Sequence, residues 1–414
     1  MEYSEKIKAK KVFIDKIIIV ILHTYILSIP FSTGLCRFLP VVAFLLWFFS
    51  SYYMGLKNLL KEYPLFKYIG IFVLYIIFSL MWSDSLHDGF KEIEDYLYWV
   101  VLVVFATVVS KENYKQFLLS FIISSLFSLL IAYGIMFEIL EPINKFPIYW
   151  FLDSIDYSIF LALASMATFY FILFAKQTFL KKIIFVLLFF ILINMLFFSD
   201  GRTGQYGFFI AFMYLLINYF ELSLKSKFTA ATIFIIFISL ILILNTSAYN
   251  RLMMGISDIQ KGISTKYFNT SLGVRYITAK IAFDSSLDQP VLGHGIGDDY
   301  AEYIEKINTD YSEYSSFLLR ENRYMNYRPH SQYMFVSYRL GAIGLILFIL
   351  ILYKMYRLEI DSVSYAKIFR SILIILIFSM LFNNVLKSTL TTAMFLVFIG
   401  IAIGLSKKSL EKQF

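Results

Sequence analysis

The chain has 414 residues, of which 59% are hydrophobic and only 16% charged, and its mean hydropathy is +0.71. Soluble domains run about 45–50% apolar and about 25% charged, so an ordinary soluble enzyme, a disordered chain and a disulfide-rich secreted module are excluded. The single cysteine, Cys36, forbids an internal disulfide or a multi-cysteine metal site, and the net charge of +8 has to be read from where the charges lie.

A helix needs roughly 20 apolar residues to cross a bilayer. Unbroken apolar runs predict an all-α polytopic membrane protein with about twelve transmembrane helices. They lie near 12–30, 36–55, 66–82, 96–110, 116–137, 157–175, 182–198, 205–220, 228–247, 332–353, 368–386 and 389–405. The first run ends in Ile29-Pro30-Phe31 without a small-residue cleavage site, so no cleavable signal peptide is expected. With the N-terminus inside, 22 lysines and arginines fall in inside segments and 5 in the short outside segments. That asymmetry places both termini in the cytoplasm and makes most of the basic charge a record of orientation, not a nucleic-acid patch. The chain reads as one membrane domain: 1–247 with spans 1–9, a large outside loop over 248–331, and 332–414 with spans 10–12 and a cytoplasmic tail.

Taken along the chain, two outside segments carry candidate chemistry. Ser199-Asp200-Gly201-Arg202-Thr203-Gly204-Gln205 links spans 7 and 8; its glycines allow a sharp turn, and Arg202 stands at the start of a helix, where free N–H groups favour anions. The 248–331 loop is nearly charge-balanced, with nine basic and ten acidic residues, and rich in tyrosine, which predicts a folded element. Ser271–Ser286 has helical spacing, with Leu272, Tyr276, Ala279 and Phe283 on one side, and 299–320 reads as helical again.

Arginine offers a planar fork of donors suited to phosphate oxygens, so Arg202 and Arg275 form a candidate pyrophosphate clamp. The plainer readings are a headgroup contact for Arg202 and a loop ion pair for Arg275. His330, in Arg328-Pro329-His330-Ser331-Gln332-Tyr333 at the start of span 10, is a candidate general base or a capping histidine. His23, His87 and His294 are weaker candidates. Gly293-His294-Gly295-Ile296-Gly297 lacks the strand–helix context of a phosphate cradle and reads as a turn. Asp298-Asp299 is a weak candidate cation site, because adjacent carboxylates point apart on regular backbone. Gln205 is a possible cavity-lining residue. Asn383 and Lys387, four apart on one helical face near the outer end of span 11, line a cavity or anchor the helix end. Tyr300, Tyr303, Tyr324 and Tyr327 are sugar-stacking candidates or loop core.

The order of these pieces resembles the bacterial O-antigen ligase family, whose wider group includes O-antigen polymerases. The resemblance rests on Gly201-Arg202-Thr203-Gly204 before a span, Gly273-Val274-Arg275 opening the loop, Pro290-Val291-Leu292-Gly293-His294-Gly295-Ile296-Gly297, His330-Ser331-Gln332-Tyr333 closing it, and Arg339-Leu340-Gly341-Ala342-Ile343-Gly344-Leu345 beyond. It implies a GT-C type glycosyltransferase of the bacterial inner membrane, working on the periplasmic face without metal or other cofactor. The implied donor is an undecaprenyl-pyrophosphate-linked glycan and the implied acceptor is lipid A–core. By the same resemblance Arg202 and Arg275 grip the donor pyrophosphate, and His330 activates the acceptor. The alternatives are a polymerase joining lipid-linked repeat units, a non-catalytic flippase or transporter, and a cell-wall polymerase that depends on a loop acid.

Overall fold

The computed structural model describes residues 2–50, 61–141, 152–219, 246–297, 301–319 and 328–406, together with residue 232. The described residues are all-helical, without a strand. Their first half comprises α1 (Glu2–Ser28), α2 (Thr33–Phe49), α3 (Leu65–Phe78), α4 (Leu86–Leu97), α5 (Val101–Val108), α6 (Tyr114–Met136), α7 (Ser154–Leu173), α8 (Phe179–Phe198) and α9 (Arg202–Tyr219). The loop contributes α10 (Thr246–Thr265), α11 (Ser271–Ser286), α12 (Ala301–Thr309) and α13 (Ser312–Leu318), and the chain continues through α14 (Gln332–Tyr356), α15 (Val363–Phe382) and α16 (Thr389–Gly404).

Six stretches among the described residues are long and apolar enough to cross a membrane: Leu65–Trp82, Tyr114–Met136, Ser154–Leu173, Phe179–Phe198, Gln332–Tyr356 and Val363–Phe382. Thr33–Phe49 and Thr389–Gly404 are shorter apolar helices. The run expected near 96–110 is not one helix. It is the end of polar α4, a 3-10 turn at Tyr98–Val100 and the short α5. The expected 368–386 span ends at Phe382, and the expected 228–247 span lies almost wholly outside the described residues.

Helix α7 occupies the centre. It packs against α6, α8, α9 and α15, and nearly every side chain from Asp156 to Phe171 is buried. Small residues allow α9 to approach it closely. A Cβ on Gly201 would lie 2.2 Å from the Ser154 carbonyl oxygen, and one on Gly204 would lie 2.2 Å from that of Ser158. Only glycine lets the two backbones meet there. The Ser158 hydroxyl then accepts the Gly204 N–H at 3.1 Å.

The loop is a folded element with its own apolar core. Ile277, Ile281 and Ala282 of α11 pack with Tyr303, Ile307, Tyr314, Phe317 and Leu318, and with Tyr338 of α14. Tyr303 is therefore core, its hydroxyl donating to the Thr278 carbonyl at 2.8 Å. The helix expected over 299–320 is two helices, broken around Asp310-Tyr311.

The glycine run is a splice into a broken helix. Gly341 interrupts α14 with φ +60° and ψ −164°, which removes the Tyr338 and Arg339 carbonyls from the helical ladder. The amides of His294 and Gly295 donate to them at 3.2 and 2.9 Å, while Ala342 and Ile343 donate back to Pro290 and Val291 at 2.9 and 3.3 Å. Gly293 and Gly341 both sit at positive φ, and a Cβ on either would fall within 2.5 Å of the facing backbone. His294 serves this joint, with Nε2 2.9 Å from the Ser285 carbonyl oxygen.

Candidate functional site

Arg202 is the first residue of α9, held there by the tight glycine turn against α7. Arg275 lies one turn into α11, whose N-cap Thr270 accepts the Gly273 N–H at 3.0 Å. The two arginines line one cavity of about 270 Å³. Burial and the Arg202 charge both pull the Arg275 pKa down, and Asp153 opposes them. Two like charges held together in a half-buried cavity are unfavourable unless something negative joins them. Asp153 supplies part of that charge. It is the N-cap of α7, accepting the Ile155 and Asp156 amides at 2.9 and 2.7 Å. Burial raises its pKa, and those amides together with Arg275 lower it in part.

Thr203 and Tyr206 also line the cavity, and its other walls are apolar, with Ile256, Ile259, Leu272 and Phe382. Ile259 and Leu272 also line a neighbouring cavity of about 410 Å³ between α10 and α11, with Ile263, Phe268 and Tyr276 beyond them. A mainly apolar trough, with Asp258 on its wall, thus leads away from the arginine pair. On its flank Met253, Met254, Ile256, Ile259 and Ile263 of α10 are exposed, the composition of a helix lying in a membrane interface.

Gly255 of α10 faces the Arg202 guanidinium, and a Cβ there would lie 2.8 Å from Nη1. Because that atom ends a flexible side chain, Gly255→Val should displace Arg202 while the fold survives. On the donor-gripping role that the resemblance implies for Arg202, the expected result is a donor KM raised about tenfold or more with little change in melting temperature, since misplacement of about 1 Å can cost about 10²-fold. An unchanged KM would mean that Arg202 does not touch the donor.

His330 is half-buried beside Arg275. Burial and then the Arg275 charge push its pKa down to about 4, so the imidazole is neutral near pH 7 and free to accept a proton. Its position is set by the turn that follows α15. Asn384 Nδ2 donates to the Pro329 carbonyl at 2.7 Å, and the Leu386 amide donates to Gln332 Oε1 at 3.0 Å, so both flanks of His330 are held. Asp156 in turn holds the turn, accepting from Asn383 Nδ2 at 3.2 Å and from Ser388 Oγ at 2.6 Å. On the base role that the resemblance implies for His330, removing the amide in Asn384→Ala should lower kcat about tenfold or more through a loosened His330, with donor affinity retained. A larger change in KM than in kcat would contradict this positioning role.

Among the other residues singled out from sequence, Gln205 does not line the arginine cavity. Its amide donates to the Leu196 and Ser199 carbonyls at 3.0 and 2.9 Å, closing the end of α8. Asn383 and Lys387 do not share a helical face, because α15 ends at Phe382 and Asn383 is extended (φ −153°, ψ 153°). Lys387 instead donates to Glu92 Oε2 at 2.5 Å and Asp95 Oδ2 at 2.9 Å. Glu92 also accepts from buried Arg339 at 2.9 Å. Burial would raise the Glu92 pKa, but Arg339 and Lys387 outweigh it and hold the carboxyl at about 2. Asp298, Asp299, Tyr300, Tyr324 and Tyr327 lie outside the described residues.

Asp153, Asp156, Gly255 and Asn384 escaped the sequence reading. Two acids three apart at the mouth of an apolar run were the available signal for the first pair. Arg339 within a span was another, since such a charge needs a partner.

No curated protein sequence matches the chain. The family model described as O-antigen ligase matches residues 187–349, the segment that supplies Arg202, Arg275 and His330. Over those residues the chain is similar to the O-antigen ligase domain.

Proposed function

We propose that the protein is an O-antigen ligase of the bacterial inner membrane. It transfers a glycan from undecaprenyl pyrophosphate to a sugar hydroxyl of lipid A–core on the periplasmic face, with both termini in the cytoplasm. The observation that carries this reading is the grouping of Arg202 and Arg275 on one cavity with a neutral His330 beside Arg275.

In this reaction the two guanidinium groups hold the pyrophosphate, and the polyprenyl chain lies along the apolar trough between α10 and α11. His330 takes the proton of the acceptor hydroxyl as its oxygen bonds to the anomeric carbon. The bond from that carbon to the phosphate oxygen breaks, and its electron pair leaves with the pyrophosphate, inverting the centre. Fixed cations aimed at the developing charge lower the barrier without reorganisation. The folded loop limits water, which would otherwise hydrolyse the donor.

Deletion of the gene tests the reading. Loss of all attached O-polysaccharide, with long polymer left on the lipid carrier, is expected. Core bearing a single repeat unit would make the protein a polymerase. Transfer by purified protein in detergent would exclude a transporter. Because arginines supply the positive charge, activity is expected to survive EDTA. Inhibition reversed by Mg²⁺ would redirect attention to Asp298-Asp299.

A further inference from the structure

A second charged cavity lies at the far end of α7 from Asp153. Twenty residues separate the two ends, about 30 Å along the helix axis. This cavity has a volume of about 830 Å³ and is lined by Lys115 of α6, Lys176 of the α7–α8 connection and Lys181 of α8. All three lysines are exposed, and no carboxylate among the described residues pairs with any of them. Thr178, the N-cap of α8, also lines it and makes no side-chain cap bond, so the cationic lysines surround a helix start that itself favours anions. Apart from Gln177, the remainder of the lining is apolar, with Leu119, Phe171, Ala175 and Phe185. Phe171 and Phe185 stack at 4.8 Å with their rings 7° apart, inside helices long enough to cross the membrane.

We infer that this cavity binds an anionic phospholipid of the leaflet opposite to the arginine site. The lysines match a phosphodiester headgroup, and the stacked phenylalanines match the acyl chains that leave it. A free phosphate would satisfy the lysines but leave the apolar half of the lining unused. Basic pockets between transmembrane helices on the inner face take anionic headgroups for this reason. The assignment is independent of the transfer reaction, because no residue of this cavity belongs to the glycan site.

The test uses the purified full-length protein in a neutral detergent. Melting temperature and native mass spectra are read with added dioleoyl phosphatidylglycerol, dioleoyl phosphatidylcholine or inorganic phosphate. Phosphatidylglycerol is expected to raise the melting temperature and to stay bound, whereas the other two should do neither. In the Lys115→Gln, Lys176→Gln, Lys181→Gln triple variant its apparent affinity should fall about tenfold or more. The Lys115→Arg, Lys176→Arg, Lys181→Arg triple variant, which keeps the charge, should keep it. An equal response to phosphatidylcholine, or full stabilisation by phosphate alone, overturns the proposal, as does an unchanged affinity in the glutamine variant. The contrast between the two lipids on the unsubstituted protein decides the matter even where the variant does not fold.

Discussion

Replacing His330 with alanine should lower glycan transfer by about 10²–10⁴-fold, the range that a positioned general base supplies. The donor should still bind, because the arginine cavity is lined by other residues. The pH dependence carries a sharper expectation. In the free protein His330 is held near pKa 4 by burial and by Arg275, so it is already neutral at pH 5 and becomes protonated only as the pH falls through about 4. A bound pyrophosphate places negative charge on Arg275 and offsets that repulsion, which raises the imidazole pKa and makes it a stronger base. Since kcat/KM reports the free enzyme and kcat the complex, the acid limb of kcat/KM should fall near pH 4 and that of kcat above it. Coincident limbs would show that donor charge does not reach the imidazole. Full activity in His330→Ala would remove it as the base.

Arg275→Lys should cost about 10²-fold in kcat, the lower end of what removal of one transition-state donor costs. Lysine keeps the charge but not the planar fork, and the fork is what holds two phosphate oxygens at once. The substitution also moves the positive charge relative to Asp153, the acid that offsets the Arg275–Arg202 repulsion. A variant as active as the parent would mean that a point charge suffices and that bidentate geometry plays no part. Measuring kcat and donor KM separately distinguishes lost transition-state stabilisation from lost binding.

Local features of this protein were legible in the sequence, and meetings between distant segments were not. Helix α11 spans Ser271–Ser286 as its spacing predicts, because Thr270 caps it and the chain turns toward Pro290 after it. Its packed side, however, is the one with Ile277, Ile281 and Ser285. Tyr276 and Phe283, on the side noted from sequence, are exposed. Both sides look apolar because one faces the loop core and the other a trough open to membrane or ligand. The pairing of Asn383 with Lys387 failed for a different reason. Helical spacing continues past Phe382 on paper, but the Asn383 side chain has a better partner in Asp156, 227 positions away. Lys387 likewise answers acids 292 and 295 positions away. Arg202, Arg275 and His330 stood out because each sits beside a glycine or a helix start. Asp153 and Gly255 matter only through what folds against them.

The break at Gly341 has a consequence for how such a protein can change. The backbone joint between 290–295 and 338–343 closes a ring of chain, with both of its ends fastened to a membrane helix. His330 lies near one fastened end, whereas the tyrosine-rich lobe of α12 and α13 lies in the middle of the ring. The four backbone hydrogen bonds of the joint involve no residue of that lobe, so the register of 290–295 against α14 is set by the two glycines and not by the length of chain between them.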